Sequence, residues 1–192
     1  MLKELKLDID RIVLQLFIPG FFALLPYSII FFRKFPDVNN YLSKSDGLTS
    51  ALIILLAITT GLILEDFGSL IEKEVWDKMN RSKFPNMDLE WNNYLMLELP
   101  KESDLVAQRY LRTILIRMKF ELSFSISLFI MIIGLTFLYH EIHYVDSFCT
   151  FICVSVIFPF LLGLYVLYES KTSSKLMIET RSKILEATKN KK

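Results

Sequence analysis

The chain has 192 residues, of which 53% are hydrophobic; its mean hydropathy is +0.40 and its formal net charge at pH 7 is +1. That composition is too apolar for an ordinary water-soluble fold of this size and places the chain in a lipid bilayer. The near-neutral balance conceals an uneven spread of Lys and Arg along the sequence.

Four long apolar runs, at about residues 12–32, 48–64, 122–139 and 147–168, predict four transmembrane helices. A hydrocarbon layer about 30 Å thick asks for about 18 or more apolar residues per helix. The first run holds fourteen Leu, Ile, Phe or Val residues, which contribute roughly −4 to −8 kcal/mol on an insertion scale against Gln15, Pro19 and Pro26. It is longer than a secretory apolar region and has no small-residue cleavage site, so it reads as a retained signal anchor. Pro19, Pro26 and Pro159 predict kinks, or carbonyls freed for neighbouring helices to satisfy.

The second run falls just short of a full span, but the helix continues through Glu65-Asp66-Phe67-Gly68-Ser69-Leu70-Ile71-Glu72-Lys73-Glu74-Val75-Trp76-Asp77 with no proline before Pro85. Phe67, Leu70, Ile71, Val75 and Met79 recur at helical spacing and predict a buried face outside the lipid. A third helix is expected to start near Asp104, after the Ser103 cap, and to run through Tyr110, Leu111, Ile114, Leu115 and Met118 into the membrane near Leu122. Residues 65–121 then form a helical hairpin. Residues 169–188, with Leu176, Ile178, Ile184 and Leu185 among charges, form a further helix. The expected class is an all-α membrane protein with helices 2, 3 and 4 extended into a cytosolic helical bundle.

Orientation follows from the basic residues. Nineteen Lys and Arg fall in the two termini and the 65–121 segment, and three in residues 33–47. The positive-inside rule then puts both termini and the hairpin in the cytoplasm.

Several residue sets invite function. Ala57, Gly61 and Gly68, with Glu65, Ser69 and Glu72, share one stripe of helix 2, and Ser123, Ser127 and Gly134 form another on helix 3. Small residues let helices approach closely in lipid, and these stripes are the candidate packing or homo-oligomer faces. If Leu64 and Leu122 lie at one depth, Asp66 and Ser69 come near Arg117, Glu74 near Arg112, and Asp77 near Arg109. With Glu65 and Glu72, these residues are candidate ion pairs at the membrane boundary, which either lock the hairpin or build a gate. Trp76, Trp91 and Tyr94 either cap the hairpin with a small core or form a docking surface for a cytosolic protein.

Chemistry is sparsely signalled. Cys149 and Cys153 lie four apart on one helix face and read as packing residues. His140-Glu141-Ile142-His143 lacks the spacing of a helical zinc motif, so no metal or other cofactor is expected. The apolar cores carry no charged residue to serve an ion-coupled carrier. No phosphate-binding loop, dinucleotide fingerprint or nucleophile elbow occurs, so neither catalysis nor nucleic-acid binding is expected.

The four spans, Pro19-Gly20 in the first, the Leu64 to Glu72 exit from the second and the Arg109 to Glu121 approach to the third resemble the four-span accessory proteins of type VI-B CRISPR systems. The chain lacks the Arg-x-x-x-x-His pattern of related nuclease-like accessories. The resemblance implies a non-enzymatic protein of a bacterial inner membrane that modulates or executes antiviral defence, coupling a cytosolic trigger to membrane perturbation or pore formation. A structural subunit of a larger complex and an intramembrane lipid-modifying enzyme are the alternatives.

Overall fold

A computed structural model describes residues 12–96, 104–142 and 153–189, and every regular element among them is helical. A π-helical segment, Ile12–Phe17, leads into α1 (Ile18–Lys34), followed by the short α2 (Pro36–Leu42). α3 (Asp46–Ile71) passes through a second π segment, Glu72–Trp76, into α4 (Asp77–Arg81). After α5 (Met87–Leu95) come α6 (Asp104–Ile142) and, beyond a third π segment, Cys153–Ile157, α7 (Phe158–Lys189). Four helices are long and apolar enough to cross a membrane: Gln15–Lys34, Gly47–Arg81, Gln108–Glu141 and Val154–Thr188.

The π segments at the starts of α1 and α7 have a common origin. Pro19 and Pro159 have no N–H to offer the carbonyl four residues earlier, and a widened turn relieves the clash upstream of each ring. The predicted disturbances therefore take the form of bulges at these two prolines. Pro26 lies buried within α1, and the Tyr27 hydroxyl beside it donates to the Ile130 carbonyl at 3.2 Å.

α6 is the central helix. It runs parallel to α1, with Gln15 Nε2 donating to the Ile116 carbonyl at 3.1 Å near one end and Lys34 paired with Glu141 at 2.8 Å at the other. Gln15, a liability for insertion by itself, is 2% exposed and joins two helices. α3 and α7 run antiparallel to α6, giving an up-down-up-down bundle. At 39 residues α6 is about 58 Å long, well beyond an apolar layer of about 30 Å, so a polar head of the bundle projects past one end.

The small residues are spent inside this bundle. A Cβ on Gly20 would sit 1.8 Å from the Ala57 carbonyl oxygen, and one on Gly61 would sit 2.0 Å from that of Leu16, so α1 and α3 touch backbone to backbone. Gly68 abuts Leu122 and Ser123, and Gly134 abuts Pro26 and Tyr27. Ser123 and Ser127 are fully buried, and Ser125 Oγ donates to the Gly163 carbonyl at 2.8 Å. Of the two uses expected of Ala57, Gly61, Gly68, Ser123, Ser127 and Gly134, packing or self-association, the structure shows packing within the chain, because close approach of its own helices uses these small side chains.

A second expectation holds for one residue of five. Ile71 is half-buried against the Trp76, Met118 and Leu122 cluster, but Phe67, Leu70, Val75 and Met79 are between 41% and 56% exposed, whereas Trp76 and Asn80 are buried. Beside lipid a helix can point bulky apolar residues such as Phe67 and Leu70 outward and keep small ones inside; Val75 and Met79 lie in the polar head, where that explanation does not reach. The 169–188 stretch is the unbroken continuation of α7 and makes no separate helix.

Candidate functional site

The most structured chemistry lies where the apolar bundle passes into the polar head. Met118 and Leu122 of α6 pack on Trp76, with Ile71, Leu167 and Met177 around them. Charged and hydroxyl side chains ring this plug.

On the α7 side, Arg117 Nε donates to Glu121 Oε1 at 2.6 Å, and its Nη2 to Glu169 Oε2 at 3.1 Å. The second oxygen of Glu121 accepts from Ser173 Oγ at 2.7 Å. Glu121 is 6% exposed, so its charge is kept in the interior by one guanidinium and one hydroxyl. On the α3 side, Lys119 Nζ donates to Ser69 Oγ at 2.6 Å and pairs with Glu72 at 2.9 Å.

Below this belt the π segment Glu72–Trp76 and α4 run parallel to α7, and α5 follows on the same side. Trp76 Nε1 donates to Ser170 Oγ at 3.2 Å, Asn80 Nδ2 to Ser174 Oγ at 3.0 Å, and Arg181 Nη2 to the Met87 carbonyl at 3.2 Å. Each pair is separated by 94 residues. The Arg181 guanidinium also lies 5.1 Å from the centre of the Trp91 ring, which stacks on Tyr94. Within the head, burial holds the Asp77 carboxyl above its ordinary range and Glu72 adds to the effect, with Arg81 opposing. Burial likewise lowers the Arg181 guanidinium, against Glu90, Asp77 and Asp88. Ser123 Oγ and Arg181 Nε are buried without a hydrogen-bond partner among the described residues.

Three expected pairings give way to others. Arg117 meets Glu121 and Glu169 where Asp66 and Ser69 were expected, because on a helix of 3.6 residues per turn it lies about 200° from Lys119. Lys119 faces α3 and takes Ser69, and Asp66 is exposed. Glu74 is bonded to Lys78 of its own helix where Arg112 was expected. Asp77 looks toward Glu72, Arg81, Asp88 and Arg181 where Arg109, an exposed residue, was expected. Glu65 is half-buried and Arg112 exposed.

Of the aromatic residues, Trp76 is a core residue at 9% exposure, and Trp91, at 45%, lies on the surface of the head. The sequence pattern assigns no role of their own to Lys119, Glu121, Glu169, Ser170, Ser173 and Arg181. The matching four-residue steps Trp76 to Asn80 and Ser170 to Ser174 were the available signal for this register. His143 and Cys149 lie outside the described residues, and among the described residues no three His, Cys, Asp or Glu side chains gather to hold a metal ion.

Compared with protein families, with curated proteins and with solved structures, the chain matches none. The geometry defines a class: a four-helix bundle able to span a membrane, closed at one end by a buried polar belt.

Proposed function

We propose that the chain is a non-enzymatic membrane effector or accessory protein that couples an event at its head to the membrane. Its polar head and both termini face the cytoplasm, as the nineteen basic residues on that side favour. The observation that carries the proposal is mechanical. α3, α6 and α7 cross from apolar to polar surroundings without a break among the described residues, and buried hydrogen bonds tie their polar ends together. A partner that tilts the head tilts the spans, because no flexible linker lies between to absorb the motion. The axis of the bundle is filled by Leu64, Leu122, Ser123 and Leu128, so any opening requires these helices to part.

The resemblance to accessory proteins of type VI-B CRISPR systems suggests a bacterial inner membrane and an antiviral response as the setting. Cells expressing the chain are expected to lose membrane potential on phage challenge, read with a potential-sensitive dye. An unchanged potential under every challenge counts against the output step. A cysteine placed at Leu89 is expected to react only with membrane-permeant reagents, and labelling from outside intact cells overturns the orientation.

A further inference from the structure

α1 and α3 meet backbone to backbone at Gly20 and Gly61, and on the α2 side of that crossing they flank an open-sided cleft of about 590 Å³. Phe21, Leu25 and Phe32 of α1, Val38 and Leu42 of α2 and Ile53 of α3 line it. We propose that this cleft holds one acyl chain of a membrane phospholipid, in the leaflet away from the polar head; the inference rests on the four helices lying in a bilayer.

Three observations select a hydrocarbon chain over a protein helix. The first is size. From Thr49 to Ala57 the cleft follows α3 for about 12 Å, close to the roughly 15 Å that one leaflet contributes. A methylene is similar in size to water, whose share of volume is about 30 Å³, so a chain of about sixteen methylenes displaces about 480 Å³ and fits.

The second is the wall. Helix docking in lipid calls for small residues; Gly20 and Gly61 are used in the α1–α3 crossing, and of the fifteen lining residues only Ser28, Thr49 and Ala57 are small, the rest being bulky apolar or aromatic side chains.

The third is polarity. Every hydroxyl on the lining is already bonded: Ser28 to the Leu25 carbonyl, Thr49 to the Leu42 carbonyl and Tyr27 to the Ile130 carbonyl. The cleft therefore asks its occupant for no hydrogen bond. At the mouth, exposed Arg33 and Lys44 follow the lining residues Phe32 and Leu42 in the chain, with Asp37 between them, and exposed Tyr41 sits at headgroup level.

The full-length chain, reconstituted with vesicles of palmitoyl-oleoyl phosphatidylethanolamine and phosphatidylglycerol and extracted in mild detergent, tests this by native mass spectrometry. One phospholipid is expected per chain. Ile53→Trp and Ser28→Trp, which fill the cleft, are expected to lower the retained fraction at least tenfold, whereas Ile54→Trp, on the outward face of the same turn, retains it. Helical circular dichroism confirms that each variant is folded, and Ile53→Phe replaces any that is not. Absence of retained lipid in the natural chain, or equal retention in all variants, overturns the proposal. So does efficient disulfide crosslinking between two copies through Leu55→Cys in membranes, which would put a protein helix in the cleft. A chain that purifies from aqueous buffer without detergent overturns the membrane reading itself, a result distinct from an embedded protein that holds no lipid.

Discussion

Arg117 is more than half exposed, yet it compensates a carboxylate that water barely reaches. Arg117→Ala leaves the buried Glu121 carboxyl held by Ser173 alone, at an expected cost of about 1–3 kcal/mol. Glu121→Gln keeps a polar group opposite Ser173 and leaves Arg117 on Glu169, so its cost is expected to stay below about 1 kcal/mol. Thermal unfolding in detergent gives the order of the two, and a larger loss in Glu121→Gln contradicts this account of the belt. Asp77 supplies a pH-dependent test. Its carboxyl is raised in the folded head, so its charged form opposes folding. The stability it contributes is fully present below its unfolded value of about 3.9 and is lost as pH rises through the higher folded value. Asp77→Asn is expected to raise the unfolding midpoint at pH 7 and to bring no gain at pH 3.5; a gain equal at both pH values removes the electrostatic explanation.

The helix crossings operate at the scale of elements. A Cβ on Gly61 meets the Leu16 backbone, which has no rotamer with which to yield. Gly61→Val must therefore part α1 from α3, at an expected cost of about 1–3 kcal/mol, or a fall of about 2–12 °C in the midpoint. A stable variant would mean that this crossing is looser than described. The elements themselves were legible: four apolar runs gave four helices, Asp104 gave the start of α6, and the missing prolines gave the long continuous rods. Which face of each rod turns inward was less legible. In water an apolar stripe points to the core, but beside lipid residues such as Phe67 and Leu70 gain nothing by burial, and Gly61 and Gly68 decide the inner face instead. Pairing by depth brought Arg117, Glu74 and Asp77 to partners that the structure does not give them. It missed the right partners, because a two-residue step along α6 moves a cation from one neighbouring helix to the other.

At the scale of the whole molecule, the head and the spans are one set of helices fastened at their polar ends. Removing two fastenings together, with Trp76→Phe and Asn80→Leu, is expected to leave the spans folded while loosening the head. Hydrogen exchange would then quicken in α4 and α5 before it quickens in the apolar half of α6. Equal acceleration throughout would mean that the two halves unfold as one unit and that the head has no independent mobility to exploit.

The shared 94-residue offset also limits how α7 can slide past α4. Ser170 and Ser174 repeat after one turn, about 6 Å of rise, so a full-turn shift returns the Trp76 indole to a hydroxyl while carrying Asn80 to Ile178. Intermediate shifts strand both donors in a dry interior. Travel between these two rods therefore comes in whole notches, and each notch has its own stopping point.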